Sequence, residues 1–282
     1  MMTRSVGRPY PGSRPFAQAD FDLFFGRSED ADTLASLWRV NRLTLAIGPT
    51  GSGKTSLLLA GVLPLVRYGR GEVLPPGRIS YGSGYPVAAL PEHNPYTLSL
   101  LRSWAPGEPV SRLVGLTVRD FVERQADRHE GPILAAIDQA EDLLGGSGLR
   151  GTHRRAFLDE LAEAVTREPR LHLLVMVRAS AADEFSRVLG QGARFSVPPL
   201  SMQAALEAVT GPVERGGRMF ASGAAEDLLT DLLTSYVTVA GGKERCTVAD
   251  SVPPALLQGV RCSCSRASSG TPRNMRTAHR VR

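Results

Sequence analysis

Lysine is nearly absent from this chain: Lys54 and Lys243 are its two examples, and every other basic residue is arginine. Such an imbalance fits a GC-rich coding bias, and it makes a lysine that is present conspicuous. Cysteine is also sparse, with Cys246, Cys262 and Cys264 only. An odd number without a C-x-x-C pair speaks for reduced thiols and against a disulfide scaffold. Cys262-Ser263-Cys264 offers two ligands, but no second pair completes a tetrahedral zinc site. No run approaches the ~18 consecutive apolar residues that a membrane span needs. The opening residues lack the apolar segment of a secretory signal, so a cytoplasmic location is expected. No Ser/His/Asp or Cys/His constellation points to hydrolase chemistry of the triad kind.

What remains is a globular chain of 282 residues with 42% apolar residues, enough for one large α/β domain and a smaller appendage. The pI of about 9.4 suggests a nucleic-acid partner until the charges are located. Residues 261–282 hold six arginines and no acidic residue; removing six from 33 basic residues leaves 27 against 28 acidic ones. The excess therefore sits in a tail, which reads as solvated and disordered, and no basic domain face is implied. Nucleic acid is not an expected partner.

Residues 1–20, rich in Pro, Gly and Arg, read as an irregular arm. A helix is expected over Phe21–Arg39, starting near Ser28 and Glu29. Leu43–Ile47 has the continuous apolar character of a buried parallel strand. A helix from Lys54 to Gly61 is expected to run on toward Val66 despite Pro64. A short second strand is placed near Arg78–Tyr81, and Asn94 followed by Pro95 reads as the start of a helix to Trp104. Val118–Arg128 and His153–Thr166 follow as helices, with buried strands at Pro132–Asp138 and Leu171–Arg178, and a further one at Arg194–Val197. After Pro198 the pattern becomes helical, over Gln203–Val213 and Ala224–Val237, with no further strong strand. Strands alternating with helices imply a parallel sheet covered on both faces. The expected organisation is an arm (1–20), an α/β core (21–200), a small helical unit (201–260) and the basic tail (261–282).

Gly48-Pro49-Thr50-Gly51-Ser52-Gly53-Lys54-Thr55 matches G-x-x-x-x-G-K-[ST], with a strand before it and a helix after it. Glycines let such a loop wrap its backbone N–H groups around phosphate oxygens, and the helix N-terminus faces the same oxygens. Lys54 would bridge the outer phosphates and the Thr55 hydroxyl would ligate Mg²⁺. Asp138 ends a buried strand, where a carboxylate can face the same Mg²⁺. Glu141 is the candidate base for an attacking water, with a turn-capping role as its alternative. Arg178 ends the next strand and would read the terminal phosphate through its planar fork. The alternative is an ion pair with a surface carboxylate such as Asp183 or Glu184.

Tyr10-Pro11-Gly12-Ser13-Arg14-Pro15-Phe16, Phe24-Phe25-Gly26-Arg27, the P-loop and Asp138-Gln139-Ala140-Glu141-Asp142 together resemble the novel STAND NTPases. These are signal-transduction ATPases common in large bacterial regulators. The similarity continues through Arg178, Pro199-Leu200-Ser201, Gly211-Pro212-Val213-Glu214-Arg215 and Pro254-Ala255-Leu256-Leu257-Gln258, and spans roughly residues 9–260. The resemblance implies an AAA-related core with strand order 5-1-4-3-2, Phe25, Gly26 and Arg27 against the adenine, and Pro212 in a helical lid that reads ADP against ATP. It also implies a switch that self-associates with ATP and hydrolyses it slowly. Ala140 departs from the family, which usually has an aromatic there. Family members run on into a winged-helix region, so this chain is expected to be a truncated member.

The readings carried forward are a regulatory ATP- and Mg²⁺-binding switch and, as its rival, a nucleotide-holding assembly module without turnover. A small-molecule kinase is disfavoured by the arginine-poor stretch after Pro198. A nucleic-acid-dependent ATPase rests only on the tail.

Overall fold

The computed structural model describes residues 10–12, 14–67, 71–81, 93–143, 148–239, 243–248, 251–254 and 257. The tail 261–282, with Cys262 and Cys264, lies outside them. In chain order the helices are α1 (Ser28–Val40), α2 (Lys54–Ser56), α3 (Leu63–Val66), α4 (Pro95–Trp104), α5 (Val118–Ala126), α6 (Gly148–Arg167), α7 (Ala179–Leu189), α8 (Met202–Arg215) and α9 (Ala224–Leu233). The strands are β1 (Leu43–Ile47), β2 (Glu72–Val73), β3 (Gly77–Arg78), β4 (Ile133–Asp138), β5 (Leu171–Val177), β6 (Ala193–Ser196), β7 (Thr234–Val239) and β8 (Lys243–Val248). Two compact units emerge: residues 29–50 with 62–197, and residues 1–28 and 51–61 with 198–282. None of the described helices is long and apolar enough to cross a membrane.

The first unit is a parallel sheet of order β2-β4-β5-β1-β6, with β3 also pairing on β4. β2 and β3 take successive registers on one side of β4, Glu72 opposite Ile133 and Gly77 opposite Ile137. They are two halves of one interrupted edge strand. Pro75 and Pro76 lie between them, and neither has an N–H to give the ladder. Counted so, the order is 5-1-4-3-2, as the family resemblance implied. β4 is buried at every position and β5 at all but His172, whereas the edge strand β6 alternates. That contrast is what burial on both faces demands of interior strands.

Helical packing around this sheet follows the sequence closely. Asn94 caps α4 by accepting from the Tyr96 N–H at 3.0 Å, with Pro95 in the first turn. Trp104 and Trp38 are buried, and their indole N–H groups donate to Ala136 O (3.2 Å) and His172 O (2.9 Å). The large apolar bodies fill the core while each polar edge is satisfied by a strand carbonyl.

The second unit packs α8 and α9 around Ala205, Val209, Leu228 and Leu229, with Leu200 bridged to Val252. Three expectations change here and in the approach to it. The single helix expected over 21–39 is a 3₁₀ turn at Gln18–Leu23 followed by α1, because Gly26 adopts φ +76° between them. The helix after the P-loop opens into a π turn at Leu57–Val62 before α3. Pro64 accounts for this, since its ring cannot sit over the carbonyl four residues earlier. The helix expected to reach Val237 stops at Leu233, and β7 pairs with β8 as an antiparallel hairpin. The leucine periodicity ends there, and Thr234-Ser235-Tyr236-Val237-Thr238-Val239 is rich in residues that favour strands.

Candidate nucleotide site

Three candidate residues meet at one edge of the sheet unit. Ile47 lies opposite Val177, and Ile137 opposite Val175, so β1, β5 and β4 end together. Asp138 is the last residue of β4, Arg178 follows β5, and the phosphate loop departs from β1. The Gly48 N–H donates to Val177 O at 3.1 Å, which ties the root of the loop to the residue before Arg178. The carboxyl edge of a parallel sheet is where open α/β folds bind ligands.

Asp138 is 3% exposed, and its Oδ2 lies 3.7 Å from an Arg78 guanidinium nitrogen on β3. A buried carboxylate needs such a counter-charge or a cation. Gln139 follows with φ +55°, the single non-glycine residue in the left-handed region among the described residues. That kink turns Ala140 fully inward and begins the 3₁₀ turn Ala140–Leu143. Glu141 Oε1 accepts from Arg178 Nε at 2.9 Å, and Glu141 Oε2 is buried without a hydrogen bond. Arg178 thus pairs with neither Asp183 nor Glu184; Asp183 pairs instead with Arg194 at 2.7 Å.

The later half of the loop belongs to the second unit. Gly51 and Gly53 adopt φ +81° and +84°, conformations in which a side chain would be strained. Such turns are the backbone from which anion-binding concavities are made. Lys54 is 8% exposed and Ser52 5% exposed, with Ser52 Oγ buried and unbonded. Thr55, half-buried, is the second residue of α2, whose capping residue is Gly53.

Beside this half-loop lies a small, mostly apolar cavity of about 60 Å³ lined by Tyr10, Phe25, Arg27, Gly53, Ser56 and Pro254, among others. Arg27 is buried, and its Nη2 donates to Ser52 O at 3.3 Å, so it braces the loop from below. The Phe16 N–H donates to Ser56 Oγ at 3.1 Å, and the Tyr10 hydroxyl donates to Val209 O. A Cβ on Gly211 would fall 2.5 Å from the Phe25 ring, so this glycine lets α8 close on Phe25, while Pro212 is buried in the helix beside it. Tyr10, Phe16, Pro254 and Leu257 carried no assigned role in the sequence. Their recurrence in the family-like motifs was the available signal, but chains 199 residues apart meet only in three dimensions.

In the second unit the glycine turns with the buried Lys54 and the Ser52 hydroxyl suit an anion such as phosphate; in the first, the buried Asp138 carboxylate suits a cation. A glycine-rich phosphate loop leaving an interior strand of a parallel 5-1-4-3-2 sheet defines a P-loop NTPase. Within that class the chain belongs to the Novel STAND NTPase 1 family, whose model matches residues 9–244. No curated protein matches it in sequence. Among solved structures it is similar to the Walker-type ATPase PABY2304 of Pyrococcus abyssi, with a TM-score of 0.56 and 17% identity over 78% of this chain and 66% of that one. The Aeropyrum pernix ORC2 protein, in ADPNP–ADP complexes, is more distant, at TM-score 0.45 and 16% identity over 67% and 52%. PCH-2 of C. elegans follows at 0.37 and 17%, over 71% and 48%. This chain thus spans just under two thirds of the first and about half of the other two. The first likeness bears on the fold alone.

Proposed function

We propose that this chain is an ATP- and Mg²⁺-binding regulatory NTPase that changes state with its nucleotide and hydrolyses ATP slowly. The observation that carries this reading is the common edge at which the P-loop root, Asp138 and Arg178 end neighbouring strands. Lys54 and the loop N–H groups would hold the phosphates, and Thr55 with Asp138 would hold Mg²⁺. The ion, when bound, neutralises charge developing on the transferred phosphoryl group. Glu141 would take a proton from the attacking water, and Arg178 would face the terminal phosphate. Phe25, Gly26 and Arg27, beside the apolar cavity, are assigned to the base, with Arg27 also bracing the loop. In this reading residues 21–200 form the core and 201–260, with Pro212, the lid that distinguishes ADP from ATP. A ligand shifts such an equilibrium only by binding one state better. Self-association in the ATP state, in the cytoplasm, is the expected output.

The rival reading, a nucleotide-holding module without turnover, has one specific observation in its favour: the candidate base Glu141 is already engaged by Arg178. Equilibrium binding of fluorescent ATP and ADP with Mg²⁺, parent against Lys54→Ala, tests the site. Loss of binding in the variant supports it; parent and variant binding alike overturns it. Turnover by the parent then separates the two readings, and sedimentation with each nucleotide tests assembly.

A further inference from the structure

Glu141 and Arg178 differ in how firmly each is held. The Glu141 side chain is 12% exposed, and its turn is pinned by Ala140 and Leu143, both fully buried. The Arg178 side chain is 50% exposed and meets Glu141 through Nε alone; its two Nη groups make no hydrogen bond among the described residues. Arg178 precedes α7, yet the nearest carboxylate of that helix in sequence, Asp183, is taken by Arg194. Glu141 is therefore the fixed partner and Arg178 the movable one, with the fork of its guanidinium bonded to no group among the described residues. Glu141 Oε2 is buried and unbonded, so the carboxylate relies on Arg178 for compensation.

We infer that Arg178 is shared between Glu141 and the terminal phosphate of a bound nucleoside triphosphate, so that one contact is made at the other's expense. This rests on the nucleotide reading above and deepens it. With diphosphate, or with none, Arg178 holds Glu141 by its Oε1 and masks the base. A terminal phosphate draws the guanidinium away, because a phosphate oxygen pair accepts the planar fork more fully than a single carboxylate oxygen does. Glu141 is then released for water, in the state that carries the bond to be cleaved. Part of the affinity for triphosphate is spent on breaking the pair, which keeps ATP and ADP closer in affinity than the site alone would make them.

The test uses four proteins: the parent, Glu141→Gln, Arg178→Gln and the double variant. Affinities for ADP and for a non-hydrolysable ATP analogue are measured with Mg²⁺, and the preference for triphosphate over diphosphate is compared. Glu141→Gln is expected to raise that preference about three- to fivefold by releasing Arg178, the scale of a half-exposed ion pair. Arg178→Gln is expected to lower it about tenfold. In the double variant the gain from Glu141→Gln should vanish, leaving the preference of Arg178→Gln alone. Should Arg178→Gln fail to fold, Arg178→Lys, which keeps the charge but loses the fork, is expected to lower the preference in the same direction. A Glu141→Gln protein with the parent's preference, or a gain that persists in the double variant, overturns the sharing. Absence of binding to either nucleotide by the folded parent overturns the nucleotide reading itself, and the inference with it.

Discussion

Replacing Gly26 with alanine should be among the most damaging one-methyl changes in the second unit. The residue sits at φ +76°, where an L side chain costs about 1 kcal/mol. The added Cβ would also fall 2.1 Å from Ala204 O and 3.0 Å from its carbonyl carbon. An ordinary carbon–oxygen contact is about 1 Å longer, so the start of α8 must move. Ala204 cannot move without disturbing the Ser201 cap, whose Oγ accepts from the Ala204 N–H at 3.2 Å. A lost serine cap costs about 1 kcal/mol, and forcing a methyl into filled space about 1–3 kcal/mol. The total is about 3–4 kcal/mol, allowing for partial relaxation. Gly217→Ala is the matched control: its φ is +71°, but nothing lies within 4 Å of the added carbon, so only the backbone strain remains. Urea denaturation of the two variants should therefore separate them by about 2–3 kcal/mol. Equal losses would refute the close approach of α8 to Gly26. Nucleotide binding by Gly26→Ala should weaken in step with this, since Phe25 and Arg27 flank the strained residue.

Arg27→Met keeps much of the side chain's volume but removes the donor to Ser52 O. It should cost about 1–3 kcal/mol of stability and weaken nucleotide binding; a fully stable variant with parental affinity would remove Arg27 from the loop's support. Asn94→Ala removes the α4 cap and the Nδ2 donor to His153 O at 2.7 Å. A loss of about 1–2 kcal/mol is expected in denaturant, with nucleotide affinity unchanged. Burial holds the Glu160 carboxyl above the usual range, opposed by the hydrogen bond from Thr97 Oγ1 at 2.8 Å. Its folded pKa exceeds its unfolded one, so the native state binds more protons in that window and stability falls as pH rises through it. Glu160→Gln should therefore gain stability over the parent as the pH is raised from 4, where the raised carboxyl is still largely protonated, to 8. Thermal unfolding at pH 4 and pH 8 with an identical difference at both would refute this.

What could be read from the sequence was local. The P-loop, the buried strands around Asp138 and Arg178, and the Asn94 cap are each defined by residues within a few positions of one another. Pairing across the chain was not legible. Nothing in the sequence joins Arg178 to Glu141, 37 residues earlier, or Arg27 to Ser52, 25 residues later. Asp183 and Glu184, nearer in sequence, were the natural partners to expect, but Arg194 claims Asp183. Strand order was likewise beyond periodicity, because a continuous apolar run says that a strand is buried and not which neighbour buries it. The family resemblance supplied the order. The π turn and the β7–β8 hairpin were missed for a different reason. Pro64 and the Thr-Ser-Tyr-Val-Thr-Val run carry the signals, but the apolar periodicity around them favours continuous helices.

Local rules are broken most densely at the end of β4. Asp138 buries a charge, Gln139 takes a backbone conformation suited to glycine, and Glu141 leaves one oxygen buried and unbonded, all within four residues. Folding alone gives no reason for this cluster. A glycine at 139 would relieve strain of about 1 kcal/mol, and a leucine at 141 would satisfy the core without an orphaned oxygen. The strained turn does have a geometric consequence, however: it sends residue 140 inward and sets Glu141 within reach of Arg178. Departures from local preference that serve no packing purpose are expected where a chain is shaped for binding or chemistry. The same four residues lie where β4 ends, at the edge where β5 and β1 also end, and Gly48 at the P-loop root is tied to Val177 of β5. The strained turn is what fixes the Glu141 carboxylate against Arg178, and the proposed role of that carboxylate in binding would account for the strain.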